Sequence, residues 1–152
     1  MKRHSITIWN NNIQSENKNL KSQTKPLNKE KYSYNGKFDE NMSTNPGELM
    51  AAAHAGSFSM RLIADLIEAG FEPQMLETKC DILIIKGVIT KSELIVKAKV
   101  GGINEEDFDR ITKNTIQNCP ISKALNVKIE LKATLEKNPE LINRLLINVV
   151  TE

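Results

Sequence analysis

With 152 residues and 21 Lys and Arg against 19 Asp and Glu, the chain has the length of one domain and a net charge of only +2. Its basic residues are scattered and aromatics are 5% of the chain, which argues against nucleic-acid binding through basic stripes or stacking platforms. Neither terminus carries a long apolar run, and MKRHSITIWN lacks the apolar centre of a signal peptide, so a cytoplasmic protein without a membrane role is expected. Cys80 and Cys119 make no disulfide framework. His4 and His54 stand in no zinc-type spacing, and there is no glycine-rich phosphate loop, so neither metal nor cofactor is expected.

In chain order, strands are expected at SITIW (5–9), LKSQTK (20–25) and YSYNGKF (32–38), with a polar turn between the first two. A long helix follows. Asn45 can cap it, Pro46 suits its first position, Glu48 stands at the third, and Gly70 is a natural stop after Ala69. Two apolar strands, 78–87 and 89–102, are joined by a turn at GVIT (87–90). A helix over 105–118 is capped by Asn104 and opens on Glu105, Glu106 and Asp107, with Phe108, Ile111 and Thr115 on one face. A short helix from Pro120 to about Asn126 leads to a last strand at 127–135. An amphipathic helical extension is expected over 138–152, beyond a domain of residues 1–137. The order βββ–α–ββ–αα–β–α implies an α+β fold, mostly antiparallel sheet around a long buried helix.

The stretch TNPGELMAAAHAGSFSM (44–60) bears closest reading. At 100° per residue, His54, Ser57, Arg61, Asp65 and Glu68 fall within an arc of about 80°. Periodicity makes that arc the wet stripe of the helix, with Ser57 on it by default and His54 a hydrogen-bonded edge residue. Ala51, Ala52, Ala53, Ala55 and Gly56 permit close approach, as a pocket floor or as a helix crossing. His54 and Ser57 are near enough to touch, but Glu48 points away from Ser57 and no nucleophile elbow is present, so a serine hydrolase is disfavoured. Cys119 directly precedes Pro120 at a helix start, where unpaired N–H groups can lower a thiol pKa; a small buried hydrophobe is the other reading. Cys80, in an apolar strand, reads as a small hydrophobe.

Together, TNPGELMAAAHAGSFSM and, about sixty residues on, NCPISKALNVKIEL resemble the OsmC/Ohr family of thiol-dependent hydroperoxide reductases, over residues 5 to 135 and with a closer likeness to the OsmC branch. The resemblance implies an intertwined homodimer with two sites at the subunit interface, an organic hydroperoxide substrate, a dithiol reductant, and no cofactor or metal. It also implies that a cysteine in the AAHAxC run attacks the peroxide. The resulting sulfenic acid condenses with the cysteine of the xCP motif, and the reductant reopens the disulfide. An arginine from a strand before the long helix and the glutamate of TNPxEL support the attacking sulfur.

Position by position, Glu48 matches the glutamate and Cys119 the resolving cysteine. Lys37 stands at the arginine, keeping its charge and losing its planar fork. Ser57 stands at the attacking cysteine. A serine hydroxyl neither ionises usefully near pH 7 nor climbs the oxidation ladder, so the peroxidase step is missing from the chain as written. Ser57 is then an introduced Cys-to-Ser change or a natural divergence. The alternative functions are a non-catalytic relative that binds a small apolar ligand or a partner, and a one-cysteine site at Cys119. On one straight helix Glu48 and Ser57 face opposite ways. The inherited site therefore needs a bend near Gly56 or a separate turn carrying Glu48. One unbroken helix, with Glu48 far from Ser57 in both subunits, would exclude it.

Overall fold

A computed structural model describes residues 44–136 continuously, together with Arg3 and the segments 5–9, 18–22 and 30–31. The chain divides into two compact units, residues 1–50 and 51–152. In the first, β1 (Ser5–Trp9), β2 (Lys18–Ser22) and β3 (Glu30–Lys31) form an antiparallel sheet in that order. The second strand begins two residues before its expected start at Leu20 and ends at Ser22, because its register is set by β1: Trp9 lies opposite Lys18 and Ser5 opposite Ser22. The strand expected at 32–38, Lys37 with it, and the extension expected at 138–152 lie outside the described residues.

The first unit ends in the opening of α1 (Pro46–Glu68). The Asn45 side chain accepts the Glu48 N–H at 2.9 Å, as its capping position requires. The Glu48 carboxylate does not close a capping box; it accepts the Thr44 hydroxyl at 2.8 Å.

In the second unit α1 buries His54, Phe58, Leu62, Asp65 and Leu66. Phe58, Leu62 and Leu66 join Leu94, Val96, Ala98, Phe108, Ile111 and Cys119 in one core. This corrects the expected orientation of the helix. His54 and Asp65 sit on the buried face, while Met60, Ile63 and Ile67, on the opposite side, are exposed, Met60 to 76%. Glu68 stays exposed as expected. The polar groups go inward because each finds a partner there: His54 two serines, Asp65 the Arg61 guanidinium at 2.7 Å and the Thr115 hydroxyl at 2.7 Å.

Gly70 ends the helix at φ +86. Its N–H reaches the Ile67 carbonyl and the Phe71 N–H the Leu66 carbonyl, both at 2.9 Å, the paired bonds that close a left-handed helix end. A Gly70→Ala change meets no steric neighbour yet must hold that positive φ, so a loss of about 1 kcal/mol is expected by denaturant titration. An unchanged midpoint would mean the turn rearranges.

The strands β4 (Pro73–Ile85) and β5 (Val88–Val100) form a long hairpin. Its turn is Lys86-Gly87, with φ of 49 and 78, earlier than the expected 87–90; Val88 already pairs with Ile85. β4 starts at Pro73, five residues before the expected Thr78, because its register carries it opposite Val100 at the far end of β5. Ser92, Leu94, Val96, Ala98 and Val100 alternate inward along β5. α2 (Glu105–Asn118), capped by Asn104 on the Asp107 N–H at 2.8 Å, and α3 (Pro120–Ala124), shorter than expected by two residues, cross over to β6 (Lys128–Leu135). That crossover lets β6 lie parallel to β5, giving the order β4-β5-β6.

The outward face of β5 and β6 is a charge lattice. Lys91 reaches Glu130 at 3.0 Å, Lys128 reaches Glu130 at 2.6 Å, and Lys132 pairs with Glu93. Lys128 and Lys91 pull Glu130 down from 4.5 to about 2, and Lys132 and Lys91 hold Glu93 below its ordinary value. Folded-state carboxylates held low stabilise above their unfolded pKa and lose that contribution as they protonate in the fold. Melting temperature should therefore drop as pH falls from about 4.5 toward 2, and less steeply in Glu130→Gln or in high salt. An identical acid limb in the variant would remove Glu130 from the explanation.

Candidate functional site

Cys119 stands in the bend between α2 and α3. Its N–H still closes α2 on the Thr115 carbonyl at 2.8 Å, but Pro120 has no N–H and disfavours helical backbone before it, so Cys119 turns extended at φ −66, ψ 124. The turn drives its side chain into the core, where it is 0% exposed. There its sulfur lies 3.3 Å from the Ser57 hydroxyl on α1. Ser57 is half-buried, so the oxygen is the outer member of the pair and the sulfur the inner one.

Burial works against a Cys119 thiolate. The Ser122 and Ser57 hydroxyls and the N–H groups of Ser122 and Ile121 outweigh it and bring the thiol below its ordinary value. The side chain closes no capping bond on the short α3. Cys119 is thus a core residue whose thiol is nonetheless held below its ordinary value by these donors.

His54 is not an edge residue; it is 0% exposed. Its Nδ1 lies 2.7 Å from the Ser92 hydroxyl on β5 and its Nε2 lies 2.8 Å from the Ser122 hydroxyl on α3. With both nitrogens engaged, the imidazole is no base for Ser57, which agrees with setting the serine hydrolase aside. Burial depresses the His54 pKa, favouring the neutral ring. Cys80, on β4, touches this group through Ser92 at 3.3 Å and through His54 Nδ1 at 3.8 Å. Burial pushes the Cys80 thiol up, only partly offset by the Ser92 hydroxyl. Reading the sequence missed Ser92 and Ser122. The signals were present: Ser92 is a hydroxyl at an inward position of an apolar strand, and Ser122 follows Cys119 by three residues in CPIS.

Glu48 is not brought to Ser57 along its own helix. α1 runs as one helix from Pro46 to Glu68, with no separate turn carrying Glu48. Nine residues of helix place Glu48 about half a turn round and roughly 13.5 Å along the axis from Ser57. Its carboxylate is exposed and holds Thr44. Lys37 lies outside the described residues. Among the described residues no three His, Cys, Asp or Glu side chains converge on a metal position, and no helix is long and apolar enough to cross a membrane.

Residues 38–133 match the family described as OsmC-like protein. The chain is 35% identical over 132 residues to the peroxiredoxin OsmC of Escherichia coli K12, covering 84% of this chain and 92% of that protein. In fold it is similar to an OsmC-like protein from Mycoplasma pneumoniae, with a TM-score of 0.75 at 11% identity, over 90% of this chain and 99% of that one. It is likewise similar to the organic hydroperoxide resistance protein OhrB of Bacillus subtilis, with a TM-score of 0.66 at 18% identity, over 90% and 98% of the two chains. The two quoted motifs, the order of strands and helices, and these matches lead to one conclusion: the chain belongs to the OsmC/Ohr family, with its OsmC-like α+β fold.

Proposed function

We propose that this chain is an OsmC/Ohr-type protein for organic hydroperoxides whose dithiol site lacks only its attacking sulfur, with Ser57 in that place and Cys119 as the resolving thiol. The observation that carries the reading is the 3.3 Å contact between Ser57 Oγ and Cys119 Sγ. Two residues 62 positions apart meet at a separation from which a disulfide needs only a small further approach. The relatives named as a peroxiredoxin and as an organic hydroperoxide resistance protein support the substrate class.

Burial supports the order of events. A peroxide reaches the half-buried position 57 before the enclosed Cys119. With sulfur at 57, the thiolate attacks one peroxide oxygen, the O–O bond breaks, and the alcohol leaves with a proton. The sulfenic acid then condenses with the Cys119 thiol, forming the S–S bond and releasing water. A dithiol returns two electrons and two protons. With a hydroxyl at 57 the first step has no nucleophile, and the chain is inert by this route.

Glu48 and Lys37 complete the proposed site as its supporting carboxylate and cation. With Glu48 facing away from Ser57 on α1, the reading takes its supporting carboxylate from Glu48 of a second copy and so includes a homodimer, working in the cytoplasm with a dithiol reductant. The test is consumption of tert-butyl hydroperoxide with dithiothreitol by the chain and by its Ser57→Cys variant. If neither turns over, the site has diverged beyond one atom, and the non-catalytic reading, in which it holds a ligand or partner, takes its place.

A further inference from the structure

The scheme above uses Ser57 and Cys119 and leaves open why α1 buries polar side chains at all. Phe58, Leu62 and Leu66 on its inward face are apolar, and the two exceptions, His54 and Asp65, stand on either side of Ser57. Both reach the α2–α3 segment that carries Cys119. His54 Nε2 lies 2.8 Å from the Ser122 hydroxyl, and the Thr115 hydroxyl donates to Asp65 Oδ2 at 2.7 Å. The partners run in opposite order on the two segments: 54, 57 and 65 on α1 meet 122, 119 and 115. The 57–119 contact therefore has a buried polar tie on each side of it.

Each tie is anchored beyond the pair it joins. His54 Nδ1 lies 2.7 Å from the Ser92 hydroxyl on β5, so one ring holds the strand, α1 and α3 together. Asp65 also pairs with Arg61 at 2.7 Å on its own helix, which fixes the direction in which that carboxylate points. Opposite them, the Cys119 N–H donates to the Thr115 carbonyl at 2.8 Å, and the Lys123 N–H to the Cys119 carbonyl at 3.0 Å. A displacement at 115 or 122 thus reaches the Cys119 backbone within one helical turn.

Apolar packing does not supply this seating. Phe58, Leu62 and Leu66 share a core with Phe108 and Ile111, but apolar burial is non-directional. A slip of α1 by one turn, roughly 5.4 Å, would keep much of that burial. It would break both ties among buried groups, where an unmade hydrogen bond is costly. Fixing a helix register is the best-attested use of buried polar groups.

We infer that His54 and Asp65 are positioning residues that seat α1 on α2 and α3 so that position 57 meets Cys119 at disulfide reach. The inference deepens the proposed function and rests on positions 57 and 119 forming its thiol pair. Neither residue enters the chemistry; each acts through the distance between the two sulfurs.

The test is the equilibrium of the 57–119 disulfide with a dithiothreitol redox buffer. It uses Ser57→Cys with Cys80→Ser, which leaves one thiol pair in the chain. Ser122→Ala and Thr115→Val each delete one hydroxyl from a tie. Each should lower the constant for disulfide formation at least about tenfold, a rise of about 30 mV in reduction potential. Ser122→Thr and Thr115→Ser keep the hydroxyl and should bring the constant back to within about threefold. Val100→Ala, a core cut at the far end of β5 from Ser92, should weaken the fold in urea and leave the constant within about twofold.

The two ties are tested separately, so a fold lost in one leaves the other as the test. The inference falls if a folded tie variant leaves the constant unmoved, or if Val100→Ala moves it as far. It falls too if Ser57→Cys forms no 57–119 disulfide. Peroxide plays no part in this readout. A disulfide that closes and responds to the ties without turnover rejects the proposed function and keeps the seating; turnover with an unresponsive disulfide does the reverse.

Discussion

Ser57→Cys should give this chain dithiol-dependent peroxidase activity. With an organic hydroperoxide and a dithiol in excess, turnover is expected at least about a thousandfold above the unmodified chain, the scale on which a missing nucleophile costs an enzyme. The geometry leads to that size of effect. Ser57 Oγ is 3.3 Å from Cys119 Sγ, and a sulfur at 57, on its longer bond to carbon, has about 1 Å left to close to disulfide length. Burial raises the Cys119 thiol, and the Ser122 and Ser57 hydroxyls more than offset it, which favours the resolving step.

Two controls isolate the steps. Without added dithiol, Ser57→Cys combined with Cys119→Ser should consume about one equivalent of peroxide and stop at the sulfenic acid, because no resolving thiol stands at 119. Ser57→Cys alone, oxidised without reductant, should lose both thiols of the pair to one intramolecular disulfide. Disulfide formation without peroxide turnover would keep the geometry and reject the activity. Turnover that survives loss of Cys119 would reject its resolving role.

Asp65→Ala should destabilise the fold by about 2–3 kcal/mol, whereas Glu68→Ala, on the same polar arc of α1, should stay within about 0.5 kcal/mol. Asp65 is buried and holds both Arg61 and Thr115 at 2.7 Å; Glu68 is exposed. Removing the Asp65 carboxylate strands the Arg61 guanidinium, whose Nε already lacks a partner among the described residues. The cost stays below that of a fully enclosed ion pair because the Arg61 side chain is 40% exposed and water can take up part of its charge. Thr115 limits it further, since its hydroxyl also donates to the Ile111 carbonyl at 2.9 Å. Urea titration of the two variants decides the matter. Equal, small losses would restore the wet-stripe reading of α1.

That pair of residues marks where sequence reading ended. The ends of α1 and α2 were legible because a cap is closed by residues three to five apart: Asn45 on Glu48, Asn104 on Asp107, Gly70 and Phe71 on Ile67 and Leu66. The inward row of β5 was legible because alternation needs only a run of Val, Ala and Leu among charges. The two motifs, through their resemblance to a family, named Ser57 and Cys119 as one site before any geometry was known.

The buried face of α1 was not legible. Periodicity defines an arc of polar side chains, and it assigns that arc to water unless the polar groups have partners inside. Here the partners come from afar: Ser92 and Ser122 stand 38 and 68 residues from His54, and Thr115 stands 50 from Asp65. By itself, then, the sequence determined the order of elements from α1 to β6, their caps and the family. The tertiary structure alone decided which way the long helix faces, that His54 is held between Ser92 and Ser122, and that Ser57 and Cys119 lie 3.3 Å apart. A cap or an alternation is a local balance of backbone hydrogen bonds and burial, while a buried polar group is tolerable only where distant residues have been folded against it.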